Sequence, residues 1–154
     1  MLDIALYEPE IPPNTGNIIR IAANTGARLH LIEPLGFDLS DSRLKRAGLD
    51  YHEYAELRVH ESLDALLERV QPSRVLPIST RGTRRYDEIR FEASDLLLFG
   101  PESRGLPEAV LTSFESAHRL RIPMREDSRS LNLANAVAVV VYEALRQGDF
   151  SSLS

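Results

Sequence analysis

Asp95-Leu96-Leu97-Leu98-Phe99 is apolar at every position after the first and is bounded by Ser94 and Gly100. So short a run without alternation reads as a strand covered on both faces, which calls for helices on either side of a mostly parallel sheet. The flanking sequence supplies both kinds of element in alternation. Leu2 to Tyr7, Leu29 to Ile32, Arg74 to Ser79 and Arg119 to Ile122 read as further short strands. Glu8 to Pro13 reads as a Pro-rich loop that continues neither sheet nor helix. A helix follows, capped by Asn14 or Thr15, striped with Ile18, Ile19 and Ala22, and stopped by Gly26. Ser40 or Asp41 opens a second helix that ends at Gly48. Ser62 opens a third, whose Leu63, Leu66, Leu67 and Val70 share a face. Pro107 fits the first turn of a fourth, ending near Ser113, and Leu131 to Gln147 reads as the longest. The expected class is α/β, one mostly parallel sheet flanked by helices.

A chain of 154 residues fits one domain, here taken as 1–154. Hydrophobic and charged shares of 43% and 27% argue against disorder. The absence of cysteine excludes disulfides, thiolate metal sites and cysteine nucleophiles. His30, His52, His60 and His118 show neither metal-ligand spacing nor a nucleophile partner, so they read as incidental and no metal is expected. No basic leader precedes a long apolar run, and no stretch approaches the ~20 apolar residues of a membrane span. The expectation is a cytoplasmic protein without membrane contact. A net charge of −5 is awkward for a nucleic-acid partner, because phosphate binding draws on a basic surface. Three basic clusters offset it locally: Arg43, Lys45 and Arg46; Arg81, Arg84 and Arg85; Arg119, Arg121 and Arg125. Each is as compatible with a solvated face as with phosphate contacts.

Three loops carry the residues suited to chemistry. Pro12-Pro13-Asn14-Thr15-Gly16-Asn17-Ile18-Ile19-Arg20 delivers a rigid segment into a helix start, where outward backbone amides suit an anion. The spacing of Asn17 and Arg20 puts both on one helical face. Phe99-Gly100-Pro101-Glu102-Ser103-Arg104-Gly105-Leu106-Pro107 lies between a buried strand and a helix, where open α/β sheets place ligands. It is no phosphate loop, since Leu106 and Pro107 stand where such a loop needs Lys and Ser or Thr. Glu102 would repel a pyrophosphate but suits hydroxyls or amines. Ile122 to Ala136 brings Ser130, Asn132 and Asn135 to the start of the long helix, enough to cap it or to hold a ligand. No GxGxxG follows the first strand, which argues against a nicotinamide enzyme.

Together, in this order and spacing, the three loops resemble the three motifs of the SPOUT methyltransferases over nearly the whole chain, Leu2 to Gln147. Tyr7-Glu8-Pro9-Glu10-Ile11-Pro12-Pro13-Asn14-Thr15-Gly16-Asn17 and Ala47-Gly48-Leu49-Asp50-Tyr51-His52 look most like its minimal tRNA ribose methyltransferases. The resemblance implies a C-terminal trefoil knot, a homodimer whose subunits share active sites, and S-adenosylmethionine as methyl donor. It implies transfer to the ribose 2′-hydroxyl of wobble nucleotide 34, cytidine or modified uridine, in the tRNA anticodon stem-loop, with leucine tRNAs as substrates. Carried over by motif, Ile78, Ser79, Thr80, Gly82, Gly100, Glu102, Gly105, Ile122, Met124, Ser130, Leu131 and Asn135 would line the cofactor site. Arg20, Ser130, Asn132 and Tyr142 would serve the chemistry. Asn14, Asn17, Arg20, Arg43, Lys45, Arg46, Arg81, Arg84 and Arg85 would contact RNA. One departure is Ala134, where relatives often carry Ser. The resemblance also admits a relative acting on another tRNA or rRNA position, or a noncatalytic RNA-binding module that kept the fold.

The transfer is an in-line displacement needing alignment and removal of a proton. Family precedent makes the Arg20 counterpart the base, yet guanidinium groups are poor proton acceptors in general. Two roles are therefore open: Arg20 takes the proton, or it stays cationic and stabilises the developing alkoxide.

Overall fold

The computed structural model describes residues 2–48 and 56–154. Leu49, Asp50, Tyr51 and His52, quoted above, lie outside the described residues. In chain order the elements are β1 (Asp3–Tyr7), α1 (Pro12–Thr25), β2 (Arg28–Ile32), α2 (Ser42–Gly48), β3 (Glu56–His60), α3 (Leu63–Val70) and β4 (Arg74–Ile78). There follow β5 (Arg84–Arg85), β6 (Asp95–Phe99), α4 (Glu108–Thr112), a single 3-10 turn at Ser116–His118, β7 (Leu120–Arg121) and α5 (Leu133–Gln147). Among the described residues no helix is long and apolar enough to cross a membrane.

The strands form one sheet in the order β3-β2-β1-β6-β4-β7-β5, every adjacent pair parallel. Strand β6 lies between β1 and β4, and its side chains divide as a doubly covered strand requires. Leu97 and Phe99 join a core with Ile18, Ile19 and Ala22 of α1 and Val137, Val140 and Val141 of α5. Leu96 and Leu98 point the other way, to a second core containing Leu66 of α3 and Leu106, with Val110 of α4 packed against it. Burying each such side chain contributes about 1.5–3 kcal/mol, so the three buried valines of α5 are held helical by packing that outweighs their modest propensity penalty.

Two Arg–carboxylate pairs brace the entry ends of the strands. Arg28 is bidentate to Asp3 at 2.8 and 2.7 Å, and Arg74 is bidentate to Asp95 at the same two distances. The opposite, carboxyl ends of β1, β4, β6 and β7 lead into the long loops.

Four expectations are corrected. Helix α1 begins at Pro12, with Ile11 as an extended N-cap and no side-chain cap, rather than after a loop ending at Pro13. Pro12 and Pro13 occupy the first turn, where a missing N–H is harmless and a φ near −65° is already helical. Helix α5 starts at Leu133, with Asn132 as its N-cap. Strands β3 and β5 were not expected; Glu56-Leu57-Arg58-Val59-His60 alternates polar and apolar residues, a strand pattern in its own right, whereas β5 spans only two residues. Finally, His30 and His60 are not incidental. Both are buried, His30 Nδ1 lies 2.9 Å from His60 Nε2, and His30 Nε2 lies 2.7 Å from the Asp3 carboxylate.

Candidate active site

The loops after β1, β4, β6 and β7 converge on a cavity of about 510 Å³, within the range typical of small-molecule sites. Its position obeys the rule that ligands of open parallel sheets sit beyond the carboxyl ends of the strands. Of the twelve residues assigned by motif to the cofactor, all but Gly82 and Asn135 line it. Gly82 lies behind the lining: a Cβ there would fall 2.3 Å from the Leu120 carbonyl oxygen, so its bare backbone lets the β4–β5 loop close on β7. Asn135 donates its backbone N–H to the Asn132 side chain at 3.2 Å.

The turn from Gly100 to Gly105 forms one wall. Gly105 adopts φ +67°, a left-handed conformation natural to glycine, and its N–H bonds the Pro101 carbonyl at 2.9 Å. Gly100 is pressed so closely to this turn that a Cβ would lie 2.3 Å from the Leu106 nitrogen. Glu102 faces the N-terminal loop rather than open space. Its carboxylate accepts from the Glu10 N–H at 2.8 Å, the Ile11 N–H at 2.7 Å and Asn14 Nδ2 at 3.3 Å. These three bonds leave acceptor capacity on a carboxylate that also lines the cavity.

Asn14, expected to contact RNA, is largely buried and stands in the cavity wall. It is 7% exposed, and while its amide nitrogen reaches Glu102 its oxygen accepts from Asn132 Nδ2 at 3.0 Å. The three loops singled out in the sequence are therefore joined by one hydrogen-bonded line, Glu102–Asn14–Asn132. Asn132 serves as cap and as wall, its Oδ1 receiving the Asn135 N–H. Ser130 lines the same cavity from an exposed position.

Arg20 and Tyr142 lie outside the cavity lining. Both are exposed, Arg20 on α1 beside Asn17 and Tyr142 (43% exposed) on α5 near exposed Val139. Of the six basic side chains in the first two clusters, three are paired with acids. Arg43 pairs with Asp41, Arg85 with Asp87 and Glu88, and Arg81 with Glu108 and the Leu106 carbonyl. Arg84 donates to the Glu88 carbonyl, while Lys45 and Arg46 are exposed on α2.

Sequence reasoning missed several walls of the cavity: Ile11, Arg81 as a lining residue, Phe99, Ser103, Arg104 and Arg129. Most fall inside the loops already quoted, so their presence there was the available signal. Ile11 stands directly before Pro12 and Pro13, and the structure leaves it 46% exposed in the lining. Apolar Ile78, Phe99 and Ile122 stand in the lining with Ser79, Thr80, Ser130 and Asn132. That donor set fits a ligand combining a flat heteroaromatic ring with hydroxyl, amine and carboxylate groups.

The model of the SpoU rRNA Methylase family matches residues 1–142. The chain belongs to this family. Among SpoU methylases it is 62% identical over 147 residues, 96% of this chain and 94% of the other, to a tRNA (cytidine(34)-2′-O)-methyltransferase of Aeromonas hydrophila subsp. hydrophila. A solved structure described as giving insight into the 2-OH methylation of C/U34 on tRNA superposes with a TM-score of 0.92 at 54% identity, covering 97% of both chains. The SpoU methyltransferase AviRb of Streptomyces viridochromogenes, solved in complex with AdoMet, superposes with a TM-score of 0.87 at 28% identity, covering 98% of this chain and 62% of that one. The SpoU family thus includes proteins of closely similar fold that bind the methyl donor.

Proposed function

We propose that this chain transfers a methyl group from S-adenosylmethionine to the ribose 2′-hydroxyl of nucleotide 34, cytidine or modified uridine, in the tRNA anticodon stem-loop. The observation that carries this reading is the convergence of the three motif loops on one cavity, in a chain 62% identical to a named enzyme of that activity. What the cofactor supplies when bound is a methyl group on a positively charged sulfur. The apolar and hydroxyl-bearing residues of the lining hold it, and Ser130 and Asn132 position the ribose against it. Arg20 takes the 2′-hydroxyl proton or stabilises the developing oxyanion.

Because Arg20 and Tyr142 stand apart from the cavity, each site in this reading takes them from a second copy of the chain. A homodimer packed through the exposed faces of α1 and α5 does this, with Val139 and Tyr142 as its apolar contacts. A C-terminal trefoil knot belongs to the same proposal. It is supported by a strand order in which late β6 and β7 enter on either side of β4. Leucine tRNAs as substrates, phosphate contacts from Lys45, Arg46 and Arg84, and a cytoplasmic location complete it.

The test is to map methylated nucleotides by mass spectrometry in tRNA from cells lacking the gene, with and without complementation. A 2′-O-methyl group at position 34 that disappears and returns with the gene is the expected result. Its presence in the deleted strain, or a change at another position only, overturns the assignment.

A further inference from the structure

The wall formed by residues 100–105 has two glycines and an exposed tip, so without ties it would sample many conformations. Ordering it on binding would lower affinity, and holding it in advance raises it. The structure ties it down from an unexpected quarter, the loop between β1 and α1, more than ninety residues earlier.

The two loops grip each other in both directions. The Glu10 carboxylate accepts from the Ser103 N–H at 2.8 Å and from Ser103 Oγ at 2.8 and 3.0 Å. In return the Glu10 N–H donates to Glu102 Oε1 at 2.8 Å, and the Ile11 N–H to Glu102 Oε2 at 2.7 Å. Each side's carboxylate thus caps the other side's backbone. This resembles the reciprocal bonds of a helix capping box, but it acts between loops distant in sequence. A third tie runs from Arg104 Nη2 to Glu8 at 2.9 Å. Two glutamates are brought close without conflict because each faces amide donors. The Ser103 amide and hydroxyl hold the Glu10 carboxyl below its ordinary 4.5, so the latch stays charged through neutral pH.

Glu10 is not part of the cavity lining, whereas Glu102, Ser103 and Arg104 are. We propose that Glu10 and Ser103 form a latch that presets the Gly100–Gly105 turn for the methyl donor, making Glu10 a positioning residue for cofactor binding that touches no part of the cofactor. This rests on reading the cavity as the donor site.

The experiment is calorimetric titration with S-adenosylhomocysteine on full-length protein, paired with steady-state kinetics on tRNA. Glu10→Ala is expected to weaken binding about tenfold and to raise KM for the donor in step, with kcat at saturation within about twofold of wild type. Ser103→Ala, which keeps the backbone bond, is expected to lose about threefold, and Ser103→Thr to restore wild-type affinity by returning the hydroxyl. The double variant should be no weaker than Glu10→Ala alone, because both changes remove one interaction. Wild-type affinity in Glu10→Ala, additive losses in the double variant, or parallel losses in kcat and tRNA affinity would overturn the latch. If Glu10→Ala does not fold, Glu10→Asp decides, because its carboxylate falls one methylene short of Ser103 while Ser103 itself is unchanged in the lining, and wild-type affinity in that variant sinks the proposal. Absence of binding heat with wild-type protein would overturn the cavity reading itself, and the latch with it.

Discussion

Buried Asp3, His30 and His60, joined by half-buried Arg28, form a line across β2, β1 and β3 whose protonation is coupled to folding. One neutral arrangement satisfies it: His30 donates from Nε2 to Asp3 and accepts at Nδ1 from His60 Nε2. Burial lowers the His60 pKa below its ordinary 6.5, and repulsion from His30 when that ring is protonated, and from Arg69 and Arg58, lowers it further. A histidine depressed in the folded state contributes stability that is fully present above 6.5 and is lost as pH falls toward its folded pKa. Asp3 follows the same direction lower down. Burial alone would raise it, but bonds and charge from His30 and Arg28 outweigh that and hold it below 3.8. Denaturant unfolding should therefore show constant stability from pH 8 to about 7, a decline beginning just below pH 6.5, and a further loss below pH 4. His60→Leu should lower stability at pH 7.5 by about 1–3 kcal/mol, by stranding His30 Nδ1, and should flatten the first decline. An unchanged slope between pH 6.5 and 5 in that variant would place the proton uptake elsewhere.

At the scale of elements, α1 does two jobs at once, presenting Arg20 and packing on α2. The second depends on Gly16 and Gly48. A Cβ on Gly16 would lie 2.5 Å from the Ala47 Cβ and 2.7 Å from the Leu44 carbonyl oxygen, and one on Gly48 would lie 2.8 Å from the Gly16 carbonyl oxygen. Gly16→Ala is expected to push the helices apart and destabilise by about 2 kcal/mol, lowering Tm by roughly 4–8 °C in scanning calorimetry. A Tm within a degree of wild type would mean that α2 shifts freely. Which elements were legible follows from the same physics. Strand β6 and helix α5 could be read because a single burial pattern dominates each. Strand β3 went unseen because it lies at an edge, and its buried His60 is a polar residue that pattern reading assigns to solvent. Most walls of the candidate site were legible because they stand inside motif loops. Glu10 and the burial of Asn14 were not, since what fixes them is contact between segments some ninety to 120 residues apart. No local signal encodes such a contact.

At the scale of the whole molecule, the proposed reading sets a net charge of −5 against an RNA partner, and a cavity lining without Arg20 or Tyr142 against catalysis. Since the charges of Arg43, Arg81 and Arg85 are already matched by acids, phosphate attraction should rest more on Lys45 and Arg46. Replacing both with Gln should reduce the slope of log affinity for tRNA against log salt by about 1.5–2, and an unchanged slope would mark them as solvent-facing only. The second point admits a sharper test. If Arg20 acts in the partner's cavity, then Arg20→Ala removes a group from one site while Asn132→Ala damages the other. Each homodimer should be inactive. When the two variants are mixed one to one, unfolded together and refolded, half of the dimers are hybrids. Each hybrid carries one site built from an intact cavity and an intact Arg20, so methyl transfer should return to roughly a quarter of the wild-type rate. Arg20 acting within its own subunit leaves every hybrid site with one defect, and no activity returns. Recovery near a quarter, lost again when Val139→Glu holds the chains as monomers on a sizing column, would establish that two chains share each site across α1 and α5.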